Sequence, residues 1–188
     1  MNICFDPFPL LTTSKLVLRP IEKSDTERVL ALRSDPRVMQ YIDRPLAKSK
    51  LEAREWIENI QEMLINQQGI TWGISMNNDS SLLGSVGFWR IEKEHLRAEI
   101  GYMLTPELQG KGIMQEAMKL AIEYGFDVMN LHSIEANVNP ENKASIKILE
   151  KNGFAQKAFF KEKFYYDGIF LDTLIFSLLK PNRKLKLA

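Results

Sequence analysis

Hydrophobic positions change their spacing several times along the chain, and each change predicts an element. Leu16-Val17-Leu18-Arg19-Pro20 reads as a short strand, closed by a proline that cannot donate to a sheet ladder. Ser24-Asp25-Thr26-Glu27 has the S-x-x-E spacing of a capping box and predicts a helix carrying Val29, Leu30 and Leu32, stopped at Asp35-Pro36. Ser49-Lys50-Leu51-Glu52 repeats that spacing ahead of Trp56, Ile57, Ile60, Met63 and Leu64, a helical-period stripe that ends near Gln67. From Ile70 the pattern turns β-branched and aromatic. Thr71 to Met76, Leu82 to Ile91 and Ala98 to Leu104 read as three antiparallel strands, with turns at Asn77-Asn78-Asp79-Ser80 and Glu92-Lys93-Glu94-His95.

A long helix follows from about Gly112 to Asn130. Ile113, Ala117, Leu120, Ala121, Tyr124 and Val128 form its apolar face, Met114, Met118 and Ile122 widen it, and Lys119, Glu123 and Asp127 keep a stripe wet. Ser133 to Val138 predicts another strand, and Asn142 to Asn152 a short helix with Gly153 as a left-handed cap. Ala155 to Tyr166 and Ile169 to Leu179 predict a hairpin about Asp167-Gly168. The basic tail, Lys180 to Ala188, is expected to fray. The order predicts an α/β (α+β) fold, a mixed and mostly antiparallel central sheet of about seven strands with helices on both faces. A right-handed crossover through the long helix makes Ala98–Leu104 and Ser133–Val138 parallel neighbours, with a ligand expected at their carboxyl ends.

Composition narrows the function classes. A chain of 188 residues without repeats or linkers predicts a single domain, 1–188. Lys+Arg 25 against Asp+Glu 24 leaves a formal charge of +1, which gives no basic excess for a nucleic-acid backbone or an anionic membrane. The single Cys4 excludes an internal disulfide, and with two histidines, His95 and His132, the chain assembles no thiolate or imidazole zinc site. No metal is expected. Without a membrane-length apolar run or a signal-like start, the expected location is the cytoplasm. A monomer and a homodimer are both open.

Candidate chemistry concentrates between the third antiparallel strand and the long helix. In Gln109-Gly110-Lys111-Gly112-Ile113-Met114 two glycines stand where the helix must start, so the chain turns tightly and leaves amide groups unblocked. Free amides at the positive end of a helix dipole make an anion site, and a pyrophosphate spans such a loop. The alternative is a glycine-softened helix start that binds nothing. P-loop and Rossmann fingerprints are both incomplete here.

These residues resemble the GNAT superfamily of N-acetyltransferases, and within it the branch that includes ribosomal-protein N-terminal acetyltransferases. Gln109 to Met114 is similar to that superfamily's Q/R-x-x-G-x-G/A loop, which holds the pyrophosphate of acetyl-coenzyme A, although Met114 replaces the final Gly or Ala. The resemblance extends over LVLRP, AEIGYML and NVNPENKASIKILEKNGF, and so over most of the chain. It implies a GNAT-like fold, acetyl-CoA as acyl donor and an amine as acceptor. Gln109, Gly110, Lys111, Gly112, Ile113 and Met114 would bind the cofactor, together with the strand groups of Tyr102, Met103 and Leu104 and the side chains of Asn137 and Asn142. Ser145 would lie beside the departing thiolate as acid or as a cofactor contact.

The residues also carry a reading of their own. Glu99 alternates with buried-type positions on its strand, and a carboxylate there would accept a proton from the attacking amine, directly or through a water. An ion pair with Arg97 or Arg90, or an edge position facing water, is the alternative. Asn139 reads as a turn former. An α-amine, with a pKa of ~7.7–8 against ~10.4 for lysine, is the easier acceptor to deprotonate, which favours a protein N-terminus. A small-molecule acceptor such as a polyamine, aminoglycoside or amino-acid analogue stays open, as does a non-catalytic acyl-CoA-binding module. Acceptor-side residues are expected from the two early helices, the Asp35–Pro45 loop and the final hairpin, including Tyr165 and Tyr166.

Overall fold

The computed structural model describes residues 4–181, so most of the basic tail, from residue 182, lies outside the described residues. Short apolar runs make strands β1 (Leu11–Thr12) and β2 (Leu16–Arg19), then helices α1 (Thr26–Ser34), α2 (Pro36–Met39) and α3 (Lys50–Ile65). Strands β3 (Ile70–Met76), β4 (Asp79–Glu92) and β5 (Arg97–Leu104) follow, and helix α4 (Ile113–Asp127) leads to β6 (Ser133–Val138). Helix α5 (Lys143–Lys151) precedes the hairpin of β7 (Ala155–Tyr166) and β8 (Ile169–Leu179). The sheet has eight strands in the order β1-β2-β3-β4-β5-β6-β8-β7, one more than expected because the two-residue β1 joins its edge. Every neighbour is antiparallel except β5 and β6, which run parallel as the crossover through α4 requires.

Each face of the sheet has its own core. Against α4 pack Trp72, Val86, Phe88, Ile100 and Leu104, with the Trp72 ring edge-on to Phe88 and to Tyr124 at 6.3 and 5.2 Å between centroids. Trp72 Nε1 donates to the Pro9 carbonyl at 2.8 Å, so the buried indole is satisfied. On the other face Val29 and Leu32 of α1 and Ala53 and Ile57 of α3 close over Leu82 and Met103. Alternation along β5 therefore sends Glu99, Gly101 and Met103 toward the α1–α3 side.

Several boundaries differ from the sequence pattern for local reasons. The first capping box forms between Glu22 and Asp25, around a 3-10 turn at Lys23–Asp25, and α1 starts at Thr26 instead of after Ser24. Asp25 is drawn there by Arg19, which donates to both its carboxylate oxygens at 2.8 Å. In α3 the expected cap holds, with Ser49 Oγ accepting from the Glu52 amide at 3.2 Å. The turn before β4 shrinks to Asn77-Asn78. Val128 lies past the last turn of α4 and is 64% exposed, so it leaves the apolar face. Lys180 is not frayed: its ammonium donates to the Phe126 carbonyl and, at 2.9 Å, to Asn130 Oδ1.

The Arg19–Asp25 pair yields a stability prediction. Burial pushes the Asp25 carboxyl up, but hydrogen bonds from Arg19 and from the Glu22 amide more than offset it, and the group sits below its ordinary value. A depressed folded value means that this stabilisation is complete above the unfolded pKa of ~3.9 and fades as pH falls through the folded value. Asp25→Asn should cost about 3 kcal/mol at neutral pH in urea denaturation, because it leaves the Arg19 cation half-buried without its partner. The gap to the parent protein should close in acid.

Candidate active site

The loop between β5 and α4 opens with a 3-10 turn at Pro106–Leu108, and Gln109 Nε2 ties it to the Leu104 carbonyl at 3.2 Å. Gly110 and Gly112 hold φ of +73° and +82°, left-handed conformations that side chains disfavour, and a Cβ on either would meet nothing within 4 Å. Glycine is thus demanded by the backbone, and the space before the loop is open. Gly112 is the N-cap residue of α4, and no side chain caps the helix. The first-turn amides, with the helix dipole behind them, point to open space and can receive an anion. Lys111 is exposed. Met114 is 7% exposed in the core beneath α4, so what it offers a ligand is its amide.

Beside this loop the sheet splits. Strands β5 and β6 pair only at Arg97–Ser133, Ala98–Ile134 and Glu99–Glu135, because β6 turns to pair along its full length with β8. From Gly101 to Leu104 the edge of β5 that faces β6 has no partner strand. Tyr102 turns its N–H and C=O and Leu104 its N–H to this edge, open to an extended amide-bearing ligand, whereas the expected contact Met103 turns its backbone into the ladder with Ser85. The opposite wall is the end of β6 and the start of α5. There the Asn142 side chain accepts from the Ser145 amide at 3.0 Å, leaving its NH2 group to donate, and Asn139 turns the chain by accepting from the Glu141 amide at 2.9 Å. Asn137 is exposed and accepts from Lys163 Nζ at 3.4 Å. Tyr102 spans the split, its hydroxyl donating to the Ser145 carbonyl at 3.5 Å. Burial pushes the Tyr102 phenol up to about 12, the bond to Ser145 opposing it, so it stays protonated at neutral pH.

A cleft of about 670 Å³ runs from this split across the α1–α3 face of the sheet. Its floor is Ser85, Gly87 and Trp89 of β4 beside Glu99, Gly101 and Met103 of β5. The Trp89 indole lies across Gly101, where a Cβ would fall 1.7 Å from the ring. A β-bulge after Trp89 puts Arg90 at φ +48° and brings its guanidinium to Glu99 at 2.9 Å. Of the two arginines named as possible partners, Arg90 is the one used; Arg97 pairs with Glu92 and Glu135 at 2.6 and 3.2 Å. The Glu99 side chain is 14% exposed and Arg90 68%, so the carboxylate reaches the cleft while its partner lies at the rim.

The mouth of the cleft comes from the regions expected to hold the acceptor: Arg33 of α1, Tyr41 and Arg44 after α2, and Trp56 of α3. On the hairpin the lining residues are Lys163, Phe164 and Thr173, and neither Tyr165 nor Tyr166 takes part. A bulge in β7 between Phe160 and Phe164, with Glu162 at φ +52°, shifts the alternation, and Tyr165 instead packs on Phe170 at 5.0 Å between centroids. Sequence reading missed Trp89, Arg33 and Arg44; the glycine at position 101, opposite Gly87, was the one local sign that a large side chain lies over the floor. Among the described residues no group of three or more acidic, histidine or cysteine side chains is placed to hold a metal, and no helix is long and apolar enough to cross a membrane.

Comparison with known proteins gives concordant matches. The model of the acetyltransferase (GNAT) domain family matches residues 15–155. An uncharacterized N-acetyltransferase of Bacillus subtilis, YoaA, is 33% identical over 93% of this chain and 99% of its own. The spermidine N-acetyltransferase of Vibrio cholerae, solved in complex with CoA and spermine, superposes with a TM-score of 0.78 at 26% identity, covering 89% of this chain and 97% of that one. The ribosomal-protein-S5-alanine acetyltransferase of Vibrio fischeri reaches a TM-score of 0.80 over 93% and 98% of the two chains. At 23% identity, that likeness is one of fold alone.

Proposed function

The chain belongs to the GNAT family of N-acetyltransferases, and from that premise we propose that it is a single-domain enzyme that moves an acetyl group from acetyl-CoA to the α-amine of a protein N-terminus by direct attack on the thioester. The observation that carries the reading is the split between β5 and β6, which opens into the cleft, together with the uncapped start of α4 that follows β5 after a short loop. The residues fit the donor: the amides of Gly110 to Met114 would hold the pyrophosphate, and the free-edge groups of Tyr102 and Leu104, on either side of Met103, would bond the pantetheine amides. The side chains of Gln109, Lys111, Asn137 and Asn142 would line its path. Bound there, acetyl-CoA supplies an acyl group activated as a thioester.

The remaining chemistry belongs to the protein. Glu99 takes the proton from the acceptor ammonium, directly or through a water, so that a neutral nitrogen reaches the acyl carbon. An amide of the free edge beside Met103, that of Tyr102 or Leu104, is the donor offered to the carbonyl oxygen as its charge grows, because Met103 itself faces Ser85 in the ladder. Ser145 lines the cleft, and its hydroxyl would donate to the departing sulfur as the C–S bond breaks and the C–N bond forms. An α-amine reaches its neutral form at neutral pH more readily than a lysine side chain, which supports the N-terminal acceptor. Calorimetry with acetyl-CoA and coenzyme A should give saturable binding, and a mixed panel of peptide N-termini and small amines should release free thiol with at least one peptide. Failure to bind either nucleotide would overturn the whole reading, and thiol release with small amines alone would overturn the acceptor.

A further inference from the structure

We propose that the acceptor carries a carboxylate close to its reacting amine, and that Arg33 and Arg44 at the cleft mouth receive it. The inference rests on the acetyltransferase reading above and narrows its acceptor. Both arginines line the cleft whose floor holds Glu99. Among the described residues neither makes an ion pair. The Arg44 guanidinium donates only to the Asp43 carbonyl, at 2.8 Å. The Arg33 guanidinium stacks on Trp56, 5.3 Å from the ring centroid, and its buried Nε–H has no acceptor. Two cations facing one space repel each other. Burial and the Arg44 charge both push the Arg33 guanidinium below its ordinary value, while Glu52 opposes them from a distance. A carboxylate placed between the two arginines relieves their repulsion, and stacking on Trp56 leaves the terminal nitrogens of the Arg33 fork free to bind it.

The balance of charge around the cleft points the same way. Arg33, Arg44, Arg90 and Lys163 face it against Asp43 and Glu99, and Glu99 is paired with Arg90. A polyamine entering such a mouth meets repulsion, whereas an acceptor with an ammonium at one end and a carboxylate near it meets opposite charges at both. The shared chemistry has two sources, the α-carboxylate of a free amino acid and an acidic side chain next to the N-terminal residue of a peptide.

The test uses matched pairs. One pair of peptides differs only in Asp or Asn at the second residue; the other pair is a free amino acid and its amide, with spermidine as the cationic control. For each, kcat/KM is read by thiol release, and binding to the CoA-saturated protein by calorimetry. The carboxylate member of one pair should be preferred roughly tenfold or more, as expected for a charge-assisted hydrogen bond. That ratio should collapse toward unity in Arg44→Gln, whose side chain is exposed, and in Arg33→Lys, which keeps the charge and loses the fork. The pair that responds identifies the source of the carboxylate. Equal use of both members, preference for spermidine, or a ratio that survives both substitutions overturns the proposal. Equal turnover within both pairs, with the peptides acetylated, would do so while leaving N-terminal acetylation standing. Preferential binding of the acid without transfer to any amine would uphold the carboxylate site and overturn the catalytic reading instead.

Discussion

Gly112→Asp should weaken acetyl-CoA binding by ~100-fold or more while leaving the folded protein nearly as stable. The new Cβ meets nothing within 4 Å, so no packing is disturbed. The cost is a residue at φ +82°, about 1 kcal/mol, and aspartate is among the side chains that tolerate this region best. A carboxylate at the uncapped start of α4 also recovers part of that cost through the helix dipole. Binding has no such compensation. The side chain stands at the mouth of the amide cluster and puts a negative charge against a pyrophosphate in the same pocket, which at a few ångströms is worth several kcal/mol even under surface screening. Gly112→Asn carries the same backbone strain and shape without the charge and should lose no more than about tenfold. Thermal melts and calorimetric titration of the two variants check the claim, and an aspartate variant that binds as the parent does would remove the loop from the cofactor site.

Features that depend on local spacing could be read from the sequence. The glycine loop, the helix behind it, the Asp167-Gly168 hairpin and the alternation that sends Glu99 into the cleft all follow from neighbouring residues and their periods. What could not be read depends on extra residues in strands and on distant charges. One bulge residue at Arg90 decides that Glu99 pairs across the β4–β5 ladder and not with Arg97, and a second bulge in β7 puts Phe164 rather than Tyr165 at the cleft. Asp25 abandons the expected cap pattern for Arg19, six residues earlier, whose position is fixed by β2 in the sheet. Arg33 and Arg44 belong to no motif. Their meeting at the mouth depends on α1 and the chain after α2 being held by the second core, a long-range consequence of Leu82 and Met103 that no spacing near the arginines announces.

Glu99→Gln separates the two readings of the carboxylate. Glutamine keeps the shape and can still accept a bond from Arg90, but it cannot take a proton from the acceptor. If Glu99 is the base, kcat should fall roughly 100-fold at neutral pH with little change in acetyl-CoA affinity. The deficit should also shrink as pH rises past ~8, because an α-amine then loses its proton to solvent without help. Stability is a poor guide here, since a partner as exposed as Arg90 makes the ion pair worth about 0–1 kcal/mol. Arg90→Gln is the companion variant: it breaks the same pair and leaves the carboxylate in the cleft. Were the pair purely structural, both substitutions would shift the melting temperature alike and leave the rate alone. A rate deficit in Glu99→Gln that is constant across pH would mean that the carboxylate positions the amine without accepting its proton. A deficit that closes in alkali, absent from Arg90→Gln, is the signature of proton removal, and it follows from a carboxylate that alternation sends into the cleft and a bulge leaves accessible there.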